Sequence, residues 1–97
     1  MATFVFLSRF TQKGIQNIKE SPARLEAARK MFRSAGAQIK EFYLVTGRYD
    51  AIVITEAPDE AAAVKLALSL SALGNVRTET LRAFTEEEYR KIIAALP

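Results

Sequence analysis

The chain has no cysteine, no histidine and no tryptophan. Without cysteine there is no disulfide and no thiolate chemistry. Without cysteine and histidine, zinc sites of the usual kind and the side chain best suited to acid–base work near neutral pH are also excluded. A cysteine-free chain fits a reducing compartment. No apolar run approaches the roughly 20 residues that cross a bilayer as a helix. The start, Met1 to Leu7, is apolar but meets Arg9, and it has no basic flank and no small-residue cleavage pattern, so it does not read as a secretion signal. The expectation is a cytoplasmic protein that does not enter membranes. Charge of one sign is also scarce as a block. The chain carries 14 Lys and Arg against 11 Asp and Glu, a net +3 spread along its length, which gives little reason to expect a nucleic-acid or membrane surface.

What is present is a globular composition. Of 97 residues, 49% are hydrophobic and 26% charged, which suits one domain, residues 1–97, with a small but real core. Thr3 to Phe10 reads as a strand apolar on both faces, with Val5 and Leu7 on one and Phe4, Phe6 and Phe10 on the other. A polar connector follows, with Gly14 and an Ile15/Ile18 pair able to form a helical turn. Ser21 as cap and Pro22 at the first helical position predict a helix that buries Leu25, Ala28, Phe32 and Ala35 and stops at Gly36. A second strand runs from Ala37 to Val45. Simple alternation puts Ile39, Glu41, Tyr43 and Val45 on one face and Lys40, Phe42 and Leu44 on the other.

Thr46-Gly47-Arg48-Tyr49-Asp50 is the hairpin turn on which the rest is organised, because Gly47 takes positive φ without strain. The third strand, Tyr49 to Glu56, is again apolar on both faces. Pro58 predicts the start of the second long helix, with Asp59 and Glu60 in its first turn. From Ala61 to Leu73 only Lys65 is charged, so this helix is expected to be buried on more than one side. Val76 to Phe84 alternates as an edge strand. Thr85-Glu86-Glu87-Glu88 is a capping box, with Phe84 and Tyr89 as its staple, and the tail helix carries Ile92, Ile93 and Leu96, which need a surface to dock on.

The order β-α-β-β-α-β is the split β-α-β, ferredoxin-like arrangement, an α+β fold with an antiparallel sheet in the order 4-1-3-2 and an additional C-terminal helix. Both long helices then cover one sheet face. The other face carries either the Phe4/Phe6/Phe10 set or the Val5/Leu7 set, and such a patch marks an interface. A homodimer through the open faces is expected, as a dimeric α/β barrel. The rival is a monomer with the C-terminal helix folded over the sheet.

The site candidates are Arg9, Tyr43, Arg48, Tyr49 and Asp50, read as lining a small-molecule cleft between sheet and helices. Arg9 ends a central strand, Tyr43 offers a hydroxyl, and Arg48 suits a carboxylate or phosphate. Turn chemistry explains Gly47 and Asp50 as well, and a packed tyrosine with a wet tip explains Tyr43 and Tyr49. Arg77, Glu79 and Arg82 read as a solvated edge ladder. Glu86, Glu87 and Glu88 fan apart on a helix, so capping accounts for them better than a metal. No nucleophile–base pair stands at a recognisable spacing. No catalytic residue, metal or cofactor is expected.

Three stretches carry a family resemblance: Thr46-Gly47-Arg48-Tyr49-Asp50, Glu56-Ala57-Pro58-Asp59, and the long run from Gly74 to Phe84. Gly14-Ile15-Gln16-Asn17-Ile18 and Ser21-Pro22-Ala23-Arg24 add to it. The chain resembles the GYD-domain family over nearly its whole length, with the family motif on Gly47, Tyr49 and Asp50 and Arg48 interposed. The resemblance implies a small bacterial protein of ferredoxin-like, dimeric α/β-barrel type with no established activity. A similar turn occurs in the ligand-binding domains of leucine-responsive regulators, an analogy of fold alone, and no helix-turn-helix precedes the domain here.

The first functional expectation is a small-molecule-binding or sensing homodimer. The alternative is a cofactor-free isomerase or monooxygenase of the dimeric-barrel type, although such pockets lean on His or Trp and both are absent. A further alternative is partner or RNA binding, with Phe4 and Phe6 stacking bases. The Gly47 to Ile54 run lacks the aromatic positions of the RNA-recognition signature, and nucleic acid is the least expected partner.

Overall fold

The alternation of the first strand sets the architecture. In the computed structural model, which describes residues 1–97, β1 (Ala2–Phe10) points Phe4, Phe6 and Ser8 to a covered face and Val5, Leu7 and Arg9 to the other. The chain continues through α1 (Gln12–Gln16), a 3₁₀ turn (Ile18–Glu20), α2 (Ser21–Ser34), β2 (Gln38–Leu44), β3 (Ala51–Ala57), α3 (Glu60–Ala72), β4 (Val76–Ala83) and α4 (Glu86–Ala94). The four strands form one antiparallel sheet in the order β2-β3-β1-β4, which is the expected 4-1-3-2 read from the other edge. The two strands apolar on both faces, β1 and β3, occupy its centre.

The phenylalanine face is the buried one. Phe4, Phe6 and Phe32 are buried beside Ala63 and Leu66 of α3. Phe6 meets Phe32 of α2 edge to face, with ring centroids 5.8 Å apart; such a pair adds about 0.5–1.5 kcal/mol beyond its burial. The open face therefore carries Val5, Leu7, Ile52, Ile54 and Leu81. This removes the basis for base stacking, because Phe4 and Phe6 lie under the helices and present no ring to a nucleic acid.

Thr55 sits in the same core with no exposure, and its hydroxyl has no hydrogen-bond partner. A buried unpaired polar group costs about 1–3 kcal/mol. Thr55→Val keeps the shape and removes that cost, so the variant is expected to be more stable by about 1 kcal/mol in urea denaturation. A loss of stability would mean that the hydroxyl is satisfied after all.

Several local expectations are corrected. α2 begins at Ser21, not after it, because the 3₁₀ turn runs straight into the helix; Glu20 occupies the cap position and makes no side-chain cap bond. At α3, Asp59 rather than Pro58 opens the helix, its carboxylate accepting from the Ala62 amide at 2.8 Å. In β2 a bulge between Ile39 and Glu41 breaks the alternation. Ile39 pairs with Thr55 and Phe42 with Val53, so both face the core, while Glu41 and Tyr43 face the open side. A single extra residue reverses face parity, and period-two counting does not see it.

α3 is buried on one side only. Ala63 and Leu66 are buried, while Val64 and Leu68 face outward. α4 forms its capping box as expected, Thr85 and Glu88 exchanging side-chain and backbone bonds. The amide of Thr85 holds the Glu88 carboxyl below the usual carboxylate range. That contribution is present above the ordinary carboxylate pKa and is lost as pH falls through the depressed folded value. Glu86 pairs with Arg90 and Glu87 with Lys91 along the helix.

Tyr89, Ile92, Ile93 and Leu96 remain exposed, and α4 makes no extended contact with any other element. The radius of gyration, 14.5 Å, exceeds the ~12.5 Å of a compact chain this long, as a projecting helix requires. The open sheet face is thus not covered from within the chain. No helix is long and apolar enough to cross a membrane.

Candidate functional site

The β2–β3 connection is closed by the Val45 amide donating to the Asp50 carbonyl at 2.9 Å, and Gly47 turns the chain at φ +100°. Nothing lies within 4 Å of where a Cβ would stand at Gly47. The glycine is therefore required by backbone conformation, not by space. Contrary to expectation, the Asp50 carboxylate does not serve the turn amides but reaches across to β1. The Asp50 amide donates to the Ser8 carbonyl at 2.8 Å, and Oδ2 accepts from the Phe10 amide at 2.9 Å. These two bonds carry the β1–β3 pairing beyond the Ser8–Ala51 register.

Tyr49 completes the clamp on the open face. Its ring lies under the Arg9 guanidinium, 4.8 Å from centroid to carbon, and its hydroxyl donates to Glu79 Oε2 of β4 at 3.0 Å. Arg9 Nε donates to the Arg48 carbonyl at 2.9 Å. The turn thus ties β3, β1 and β4 together. Asp50→Ala leaves the Phe10 amide without its acceptor and is expected to cost about 2 kcal/mol. Asp50→Asn, which keeps an acceptor oxygen, is expected to recover most of it in the same denaturant titration. Equal losses in both variants would show that charge, not acceptance, is what matters.

The five candidate residues separate. Arg9, Tyr49 and Asp50 come together, Arg48 joins them through its carbonyl with its side chain exposed, and Tyr43 lies exposed on the open face of edge strand β2, opposite Ile52. Arg9 points away from the helices, not into a cleft beside them. A shallow polar hollow of about 160 Å³ opens beside Arg9, Tyr49, Arg77 and Glu79. Arg82, expected in a solvated ladder, is half-buried: its guanidinium lies over Phe84 at 4.2 Å and near Phe4 at 5.5 Å, and it donates to the carbonyls of Thr3 and Ala83. It fastens the edge strand to the root of α4, where it also meets Glu88.

The cleft between sheet and helices exists, but it is lined by none of Arg9, Tyr43, Arg48, Tyr49 and Asp50. Small side chains stand on its floor. Along β1 the core-facing residues run Phe4, Phe6, Ser8, Phe10, and along β3 they run Thr55, Val53, Ala51, with Ser8 paired to Ala51. That small pair leaves a hollow beyond Phe6, which Phe10 lines from the end of the strand. Overhead, α2 packs toward β2 and α3 toward β4, and the two helices share the filled end of the core through Phe32, Ala63 and Leu66. The result is a cavity of about 340 Å³ in which 12 of 17 lining residues are hydrophobic, enough to make it an apolar chamber.

α1 forms one wall of the mouth. A Cβ on Gly14 would stand 2.1 Å from the Asn75 carbonyl oxygen, so only glycine lets α1 press against the α3–β4 turn. Thr11 fixes that contact, its hydroxyl donating to the Gly74 carbonyl at 2.6 Å and its amide to Asn75. Sequence reasoning expected a cleft between sheet and helices but assigned to it none of the residues that line this chamber. The usable signal was the serine that interrupts the phenylalanines on one face of β1. The lining contains no carboxylate, and no group of three acidic residues stands close enough to hold a metal ion.

Fold and motif together define a small α+β domain of split β-α-β topology whose first hairpin is locked to the central strand by a Tyr-Asp clamp. The chain belongs to the GYD domain family, whose profile matches residues 4–93. It is 34% identical over 84 residues to the glutamine synthetase and cystathionine beta-lyase binding protein of Thermus thermophilus, covering 86% of this chain and 88% of that protein. Its fold is similar to the crystal structure of TTHA0845 from Thermus thermophilus, with a TM-score of 0.56 and 28% identity over 88% of this chain and 95% of that one.

Proposed function

We propose that this is a binding protein that works as a homodimer, its open sheet faces packed together and a small apolar molecule held in the chamber between sheet and helices. The chamber carries the reading. At about 340 Å³ with mostly apolar walls, it falls within the roughly 300–1,000 Å³ of small-molecule sites. Its lining offers no nucleophile–base pair, which favours binding over catalysis. The homodimer rests on the open face, where Val5, Leu7, Ile52 and Ile54 form an apolar centre that α4 leaves bare. The Thermus relative is named for binding two enzymes, which supports a binding role and makes enzymes the partner class for the assembled protein.

The test is titration with the neutral fluorophore N-phenylnaphthylamine. Saturable enhancement at one site per subunit is expected in the parent. It should be lost in Ala28→Trp, where an indole fills the chamber from α2, with circular dichroism unchanged. Undiminished binding in a folded Ala28→Trp protein would place the site elsewhere and overturn the reading. Leu25→Trp, filling the chamber from the neighbouring turn, serves if Ala28→Trp does not fold.

A further inference from the structure

We propose that the chamber selects an apolar anion, a hydrocarbon or aromatic body carrying a carboxylate at the mouth. The inference rests on the chamber being a ligand site. Its first support is charge. Among the lining residues there is no Asp or Glu, but there are two cations, Lys13 of α1 and Arg24 of α2. Neither enters any of the chain's ion pairs. Their bonds go only to carbonyl oxygens: Lys13 Nζ donates to Leu73 at 3.1 Å, and Arg24 donates to Asn17 at 2.9 Å and Gly14 at 3.3 Å.

Those bonds leave donors free. An ammonium has three N–H groups and a guanidinium five, so each cation keeps at least two for a ligand. The carbonyls also hold both heads at the mouth, so little ordering remains for an anion to impose. A carboxylate bound there makes charge-assisted bonds while its body enters apolar walls.

The second support lies on the floor. Ser8 is only 8% exposed, faces the chamber from β1, and its hydroxyl takes part in none of the side-chain hydrogen bonds of the fold. Unlike the sealed hydroxyl of Thr55, that of Ser8 is not cut off from solvent, so it stands open to a molecule that enters the chamber. It offers one polar contact at depth, opposite in character to the cationic mouth. The ligand class is therefore an amphiphilic acid of modest size, with room for one oxygen or nitrogen along its body.

The experiment compares octanoate, octanol and octylamine, equal in chain length and different in head charge, by calorimetric titration of the full-length protein below micellar concentrations. Octanoate is expected to bind about tenfold tighter than octanol or better, and octylamine weakest. Lys13→Gln and Arg24→Gln should each erode the preference, the double variant should abolish it, and Arg24→Lys should keep most of it. Added salt should weaken octanoate and leave octanol unchanged. Octanol binding as tightly as octanoate, with the glutamine variants indifferent, would overturn the anion inference while leaving the chamber as a site for neutral molecules. Failure of all three, together with failure of N-phenylnaphthylamine, would overturn the chamber itself.

Discussion

In the proposed homodimer, Ile54→Lys is expected to shift the protein from dimer to monomer at micromolar concentration, raising the dimer dissociation constant about 100-fold or more. Ile54 stands on β3 at the centre of the open face, with Val5 on one side and Glu41 on the other. In a monomer the lysine is tolerable. Its stem lies along the apolar sheet, and its ammonium reaches the cross-strand carboxylate of Glu41. In a face-to-face dimer the same ammonium is driven into an apolar interface without water, which costs several kcal/mol, each ~1.4 kcal/mol being tenfold in affinity.

Leu7→Lys gives a second reading by the same logic, since Glu79 lies opposite Leu7 on β4. Light scattering or analytical ultracentrifugation measures the mass, and circular dichroism checks folding. A monomeric parent would refute the homodimer. A parent dimer that survives both lysines would move the interface to the outer stripe of α3 or to α4, whose apolar residues are also unpartnered.

Phe6→Ala is expected to lose about 4 kcal/mol of stability, a large share of the 5–15 kcal/mol typical of a domain. Phe6 is wholly buried, pairs across the sheet with Val53 and Thr80, and packs its ring edge to face on Phe32. Removing the ring loses its transfer free energy and leaves a void bounded by β1, β3 and α2, elements that hydrogen bonding holds in place. The site has little means to collapse. Phe6→Leu, which fills part of the void, is expected to lose about half as much. Urea denaturation at constant slope measures both. A loss under about 1 kcal/mol would show that the filled end of the core relaxes as readily as the hollow end.

The contrast between those two ends explains how much of the protein was legible beforehand. The strands β1 and β3 were readable because apolar residues stand on both of their faces, and only a central strand buries both. The hairpin at Gly47, the helix end at Gly36 and the capping box at Thr85 were readable because each depends on a handful of adjacent residues. Tyr49 and Asp50 were read as part of a turn or of a pocket mouth, and their contacts in the fold run to β4 and β1. Asp50 bonds to β1, 40 residues away, and a partner at that distance leaves no local trace.

Tyr43 was grouped with Ile39 by alternation, and the bulge at Lys40 separated them. The cleft was expected and exists, yet it opened on the opposite side of the sheet from the residues assigned to it. Arg9 follows the parity of Leu7 onto the open face, while the chamber follows Phe4, Phe6 and Ser8. Lys13 and Arg24 drew no attention as site residues because a lysine in a polar connector and an arginine on a helix read as solvated charge. Only the folding of α1 against the α3–β4 turn brings them to one mouth.

By itself the sequence determined the element order, the central strands, the sheet order, the capping box at Thr85 and the turn, and the absence of sulfur and imidazole chemistry. Those properties follow from backbone propensity, periodicity and composition, which act over a few residues or over the whole chain at once. Only the tertiary structure decided which apolar face was covered, which partner Asp50 found, that α4 stands free, and that a chamber lies between the sheet and α2 and α3. Each of these depends on the distance between elements far apart in sequence. Such distances are set by the sizes of the side chains that meet: Phe4, Phe6 and Phe32 close one end of the core, and the paired Ser8 and Ala51 leave a hollow beyond it.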